Sequence, residues 1–119
     1  DIFWVLRCVY YLANHSERVA QHRDTLSPNI VSNCEAGESM SLIDVARAER
    51  NWAELYSNFQ DFFADIDLLI VPGNAVSPFS IAEGIPKSVG GKVMENYVDA
   101  SLVRSALTLT GHPVIAIPT

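Results

Sequence analysis

The chain has 119 residues, of which 49% are hydrophobic and 18% are charged, and its formal net charge is −6. It is apolar enough to build a core, and its low charged fraction suggests apolar surface that expects a partner. The absence of any run of Lys or Arg excludes the basic stripe that nucleic-acid binding needs and disfavours an anionic membrane surface. No apolar run approaches the roughly 20 residues that span a bilayer, so no membrane partner is expected.

Two cysteines, Cys8 and Cys34, are too few for a disulfide scaffold and are interpreted as free thiols in the core or on the surface. The segment Asp1–Trp4 lacks the basic region of a secretory signal. Together these features predict a cytoplasmic location.

The first predicted element is a helix from Asp1 to about His22, where Phe3, Leu6 and Tyr10 recur at helical spacing. Pro28 biases the residue before it away from helical backbone, which predicts the end of the helix and a polar connector through Gly37.

A second helix is predicted to begin at Ser41, because Ser41 and Asp44 match a capping box. Apolar and aromatic residues then recur at helical spacing as far as Ile66. The aromatic stripe is compatible with a ligand-binding surface, but we interpret it as core packing, which helix burial requires.

The second half predicts a βαβ unit. Asp67–Pro72 has the composition of a buried strand, residues 73–92 form a long loop rich in Gly and Pro, a third helix covers 93–109, and Val114–Ile117 is a second strand. Strands joined by such a crossover are parallel. The fold class is therefore expected to be α/β, with about three helices and two parallel core strands.

No catalytic or metal-binding set is visible. Ser88–Lys92 fails as a phosphate loop, because Pro86 stands where the first glycine belongs and Val93 replaces the Ser or Thr. The three histidines are scattered without zinc spacing, and His112 lies inside a Gly-x-Pro turn. We therefore predict no metal site and no cofactor.

Four segments nevertheless carry a resemblance to the amidase signature family. They are Leu26–Pro28 leading to Glu35–Gly37, the helix from Ser41 to Phe63, the strand Asp65–Pro72, and the turn and strand Leu109–Pro118. The last of these, with its Thr-Gly-His-Pro turn, is the most specific. Together they resemble the C-terminal segment of an amidase or of a protein like the amidase component of glutamyl-tRNA amidotransferase.

The resemblance implies that residues 1–119 are a single partial domain, a fragment of the family's α/β/α fold. It also implies hydrolysis of a carboxamide C–N bond by a Ser–cis-Ser–Lys triad located upstream. No residue here takes a catalytic role, and the fragment is expected to be inactive alone. A buried strand so close to the last residue also suggests that a larger protein has been cut. Hydrolase and amidotransferase activity both stay open.

By the same analogy Asn74, Ser77, Phe79 and Tyr97 are candidate substrate-binding residues, lining an acyl pocket that takes a small-molecule amide in the intact enzyme. The alternative interpretation is an exposed loop and a core tyrosine.

A second hypothesis makes the chain a non-catalytic α/β interaction module. Such a module would self-associate through an exposed sheet edge at Val114–Ile117, which leaves a homo-oligomer open.

Overall fold

A computed structural model describes residues 2–117 of the chain. Its helices and strands are, in order, α1 (Ile2–His22), α2 (Pro28–Ser39), α3 (Leu42–Phe62), β1 (Ser88–Val89), β2 (Lys92–Val93) and α4 (Leu102–Thr108). Short 3₁₀ turns cover Arg23–Thr25 and Asp99–Ser101. The chain divides into two compact units, Asp1–Glu54 and Leu55–Thr119. The first unit is helical, and the second contains the loop, the hairpin and α4.

The helix predicted over the first 22 residues is confirmed as α1, but the connector predicted after Pro28 is wrong. Pro28 is the first residue of α2, and Ser27 before it has extended backbone with ψ of 134°. Proline suits the first turn of a helix, where an N–H group would have no partner. The same residue that was expected to break helical structure therefore begins a new helix.

Helix α2 packs against α1 at Gly37. A Cβ atom at this position would lie 2.8 Å from the Cys8 carbonyl oxygen and 3.1 Å from the Leu12 Cβ. Cys8 and Cys34 are both buried as free thiols, and the Cys34 Sγ donates to the Tyr11 carbonyl oxygen at 3.4 Å. Burial raises the pKa of the Cys8 thiol to about 11. In the first unit, the backbones of α1 and α2 thus approach closely, and small side chains fill the space between them.

Helix α3 begins at the predicted capping box. The Asp44 backbone N–H donates to the Ser41 Oγ at 3.2 Å, and the Ser41 N–H donates to the Asp44 carboxylate at 3.2 Å. The Ser41 hydroxyl also donates to this carboxylate at 2.6 Å. These bonds, from the hydroxyl first and then the backbone, lower the pKa of Asp44. The helix ends at Phe62, before the predicted Ile66.

The predicted α/β fold with two parallel core strands is wrong. Within residues 2–117 the single sheet is an antiparallel pair of two-residue strands, with Ser88 opposite Val93 and Val89 opposite Lys92. Gly90 and Gly91 join these strands with φ values of 56° and 80°. Residues 68–72 and 111–117 have neither helix nor strand.

The physical reason lies in the missing neighbours. A buried strand needs hydrogen-bonded partners on both sides and cover on both faces. Leu68 is 79% exposed, Ile70 is 91% exposed and Ile115 is 83% exposed, so neither segment has this cover. Their β-branched composition therefore does not produce a sheet.

The helix predicted over 93–109 is shortened at its start. The Asp99 carboxylate accepts hydrogen bonds from the Glu95 N–H at 2.8 Å and the Asn96 N–H at 3.4 Å, which stabilises a turn there instead. Residues 73–87, within the predicted loop 73–92, contain neither helix nor strand, and the hairpin follows. That residues 1–119 form one partial domain stays a prediction.

None of the helices in residues 2–117 has both the length and the hydropathy needed to cross a membrane.

Candidate functional site

A cavity of about 470 Å³ lies in the second unit, between the loop that follows Pro72 and the segment leading into α4. Its polar lining residues are Asn74, Ser77, Tyr97, Ser101 and Arg104. Its apolar lining residues are Val76, Pro78, Phe79, Ile85 and Ala100. The volume falls within the range of small-molecule sites, which are mostly apolar with a few placed polar groups.

The cavity brings together all four residues that the family resemblance suggested. Asn74, Ser77 and Phe79 come from the loop, and Tyr97 comes from the turn before α4. Asn74, Ser77 and Phe79 are exposed and Tyr97 is half-buried. The cavity is thus open to solvent on the loop side.

Local hydrogen bonds stabilise the α4 wall of the cavity, which is formed by residues 97–104; the loop wall lies opposite. The Asn96 side-chain oxygen accepts from the Val98 N–H at 2.9 Å, which fixes the backbone around Tyr97. The Ser101 hydroxyl donates to the Val98 carbonyl oxygen at 2.9 Å and lies 3.4 Å from the hydroxyl of buried Ser105. Val98 and Ala100 are buried beneath this wall. This wall is therefore held together by hydrogen bonds among its own residues.

Sequence reasoning missed the other lining residues, of which Ser101 and Arg104 are the polar ones. Ser101 ends the 3₁₀ turn before α4 and Arg104 lies in α4, whereas Tyr97 lies in the turn that precedes both. Neither residue belongs to a recognisable motif, so the sequence offers no signal for them.

The lining contains hydroxyl groups but no base to activate them. None of its residues is a His, Lys, Asp or Glu, and a serine hydroxyl needs an adjacent base to become a nucleophile. Lys87 and Lys92 lie outside the lining, at the approach to the hairpin and within it. The cavity lining therefore contains no residue that could activate the Ser77 or Ser101 hydroxyl.

The Thr-Gly-His-Pro turn packs against the aromatic stripe, the aromatic residues Tyr56, Phe59 and Phe63 at the end of α3 and directly after it. The His112 ring centre lies 4.7 Å from that of Phe63, 6.1 Å from that of Phe59 and 6.4 Å from that of Tyr56. The His112 Nε2 lies 3.3 Å from the Gln60 Nε2, and its Nδ1 is buried with no hydrogen-bond partner among residues 2–117. His112 is thus enclosed by rings and does not line the cavity.

A backbone constraint accompanies this packing. Gly111 has a φ of 72°, and a Cβ atom there would lie 3.3 Å from the Tyr56 Cε2. Left-handed backbone of this kind favours glycine. The aromatic stripe, predicted as core packing, therefore positions the turn that carried the strongest family resemblance.

A second cavity of about 370 Å³ lies in the first unit, beside Ile2, Val5 and the start of α3. The charged groups that line it, Asp44 and Arg47, are 3.8 Å apart, and Asp44 also serves the helix cap. Both charged side chains of this cavity are therefore already paired with each other.

No family model, no curated protein and no solved structure matches the chain. Within residues 2–117, no three His, Cys, Asp or Glu side chains are grouped in a way that would hold a metal ion.

Proposed function

We propose that this chain is the C-terminal segment of an amidase-type hydrolase and that the cavity of the second unit serves as its acyl pocket. One observation carries the proposal: Asn74, Ser77, Phe79 and Tyr97, suggested from two separate segments, line a single cavity. Asn74, Ser77 and Phe79 are neighbours in one loop, so the support comes from Tyr97, which reaches the same cavity from a separate segment.

The proposed division of labour follows from the lining. The triad upstream attacks the amide carbonyl, releases the amine and forms an acyl-enzyme, which water then hydrolyses to the acid. Backbone N–H groups upstream stabilise the oxyanion, each contributing about 3 kcal/mol. In this segment Phe79, Ile85 and Ala100 hold the acyl group, while the Asn74 amide and the Ser77 hydroxyl orient it. The segment alone is inactive in this proposal, because its cavity lining supplies no base.

The first test is the coding sequence upstream of Asp1. The proposal expects a lysine and a glycine-flanked serine pair there, and the encoded protein should release ammonia from simple amides such as phenylacetamide. Replacing the upstream serine should abolish that release. Absence of the lysine and serine pair, or absence of turnover on a panel of aryl and alkyl amides, would contradict the proposal.

The second test asks whether the cavity selects the acyl group. Phe79→Ala enlarges the pocket, so kcat/KM for amides with bulky acyl groups should rise relative to acetamide, by roughly tenfold for one added methylene or two. Ile81→Ala is the matched control, because Ile81 lies in the same loop, is 97% exposed and is not among the cavity lining. Equal acyl preference in Phe79→Ala and the unchanged protein would remove the cavity from the mechanism.

A cytoplasmic location belongs to this proposal. It is supported by Cys8 and Cys34, which are buried as free thiols, the form that a reducing compartment maintains.

Hydrolysis and amide-nitrogen transfer use the same acyl-enzyme, and the ammonia assay with and without an added acceptor separates them.

A second candidate function is self-association without catalysis. Val114–Ile117 is apolar and largely exposed, and it pairs with no strand in the described part of the chain. Exposed segments of this composition can pair with a second copy through backbone hydrogen bonds. Sedimentation velocity would show a concentration-dependent dimer that Ile115→Lys abolishes and that Ile81→Lys leaves intact. A monomer at all concentrations would exclude this function.

A further inference from the structure

We propose that the cavity of the second unit binds a small molecule carrying a carboxylate, with Arg104 as the residue that recognises the charge. This inference rests on the proposed function and extends it to a substrate class: an amide that bears a carboxylate away from the scissile bond. It depends on the charge, the geometry and the size of the cavity.

The charge of the cavity comes from one residue. Arg104 is the single charged residue of the lining, in a chain whose formal net charge is −6. The ion pairs within residues 2–117 join Arg23 with Glu35, Arg47 with Asp44, and Arg50 with Glu54. Arg104 is in none of them. Arg104 thus lines the cavity without an ion pair to a carboxylate of the described residues.

The acidic residue nearest to the cavity wall in sequence is already engaged. The Asp99 carboxylate accepts the backbone N–H groups of Glu95 and Asn96, which hold it in the turn before α4. The Asp99 carboxylate is thus held by backbone N–H groups and forms no ion pair with Arg104.

The geometry places donors on two walls. Arg104 and Ser101 stand on the α4 wall, and Asn74 and Ser77 stand on the loop wall. A guanidinium group presents parallel N–H donors that match the two oxygens of a carboxylate. The Asn74 amide and the Ser77 hydroxyl line the opposite side of the cavity and add donors there. A carboxylate between the walls can therefore receive donors from both.

The apolar lining and the size of the cavity define the rest of the ligand. Val76, Pro78, Phe79, Ile85 and Ala100 form an apolar surface beside the polar groups. The volume of about 470 Å³ is large enough for a phenyl ring with a short chain, since pockets for small molecules measure about 300–1,000 Å³. The ligand class is thus an aryl or alkyl carboxylate with its apolar body against Phe79.

The test compares two probes that differ in charge and share one shape, 3-phenylpropanoate and 3-phenylpropanamide. Titration of the ¹⁵N-labelled chain with each, followed by NMR chemical-shift changes, yields two dissociation constants. The carboxylate should bind roughly tenfold tighter than the amide, the ratio expected for one solvent-accessible charge-assisted hydrogen-bonded pair. The shifts should map to the loop around Ser77 and to the start of α4.

Substitutions assign the preference to one residue. Arg104→Gln should reduce the tenfold ratio to near one, and Arg104→Lys should keep part of it, because a charge remains without the planar fork. Arg18→Gln is the matched control: Arg18 is exposed on α1 in the first unit, and its loss changes the net charge equally. Raising the salt concentration should weaken binding of the carboxylate and leave binding of the amide unchanged.

Three results would overturn the inference: equal affinity for the two probes, a preference that survives Arg104→Gln, or no chemical-shift change with either probe. These binding readouts need no nucleophile, so they stand or fall separately from amide turnover by the longer protein. If that protein hydrolyses amides but Arg104→Gln leaves its ratio of rates on carboxylated and neutral amides unchanged, the proposed function survives and this inference fails.

Discussion

The two units of the chain use apolar residues in opposite ways. In Asp1–Glu54 the buried positions Cys8, Cys34 and Ala48 come from helices that lie close together in sequence. In Leu55–Thr119 the residues around Ile70 and Ile115 are exposed, and burial is confined to the neighbourhood of α4. Helices α1 and α2 follow each other in the chain and pair, whereas a sheet built from residues 68–72 and 111–117 would need partners far away in sequence. Among the described residues, the first unit therefore buries positions on all three of its helices, whereas the second buries positions only around α4.

The largest effect is expected for Gly37→Leu, which tests the packing of α2 against α1 in the first unit. The added side chain would begin 2.8 Å from the Cys8 carbonyl oxygen, a backbone atom that cannot move aside without shifting α1. We expect a loss of about 1–3 kcal/mol in the free energy of unfolding, typical of overpacking. Urea denaturation followed by circular dichroism at 222 nm measures it.

Gly73→Ala in the other unit is the control for this substitution. No atom lies within 4 Å of the Cβ position at Gly73, so its stability should be unchanged or slightly raised. Equal effects of the two substitutions would show that α1 and α2 do not approach as closely as described.

The next largest effect is expected for Gly111→Ala in the open half. A residue with a Cβ atom at φ of 72° costs about 1–2 kcal/mol, and here the Cβ also meets the Tyr56 ring at 3.3 Å. Gly84→Ala shares the backbone cost, with φ of 69°, but meets no atom within 4 Å. The difference between the two, measured by urea denaturation, reports the ring contact alone. If Gly84→Ala were the more damaging, the turn would not depend on the aromatic stripe.

A smaller effect is expected at the start of α3. Ser41→Ala removes the N-cap and should cost about 1 kcal/mol at neutral pH, whereas Ser57→Ala within the same helix should be neutral. Because the pKa of Asp44 is lowered in the folded chain, its contribution is present above its ordinary pKa and is lost as the pH falls through the folded value.

The penalty of Asp44→Asn should consequently disappear in acid. Denaturation series at neutral and acidic pH measure this loss. A penalty that is the same at both would mean that the carboxylate does not cap the helix in its ionised form.

The smallest effect is expected for Ile70→Asp. Ile70 is 91% exposed, so this substitution should change the unfolding free energy of the isolated chain by less than about 0.5 kcal/mol. Ala48→Asp, at a buried position of the first unit, should destabilise it strongly. Amide hydrogen exchange adds a second readout, since residues 68–71 should exchange fast and α1 slowly. Slow exchange at Ile70 would show that the segment has found a partner.

Local chemistry explains what the sequence could predict. The helical spacing of Phe3, Leu6 and Tyr10 indicates α1, and Ser41 with Asp44 indicates the start of α3, because both patterns act within one or two turns. The four cavity residues came from a family resemblance and not from spacing. Their convergence is a property of the folded chain that no local pattern contains.

The wrong predictions have two physical causes. Pro28 correctly predicts that α1 ends before it, but the polar connector predicted after it is wrong, because a proline in the first turn of a new helix is favourable. Side-chain composition predicts strands at 68–71 and 114–117, but a strand exists only when a neighbour pairs with its backbone. Arg104 escapes prediction because a single arginine on a helix has no distinctive pattern until the opposite wall is known.

The exposed run Leu68–Val71 also governs how the protein behaves at high concentration. Short apolar, β-branched segments without charge initiate aggregation, and natural sequences restrain them with flanking charges and prolines. Here Asp67 precedes the run and Pro72 follows it, so the segment carries a restraint at each end. Replacing Asp67 with a neutral residue should shorten the lag time of aggregation without altering the helices, which makes this residue a determinant of solubility.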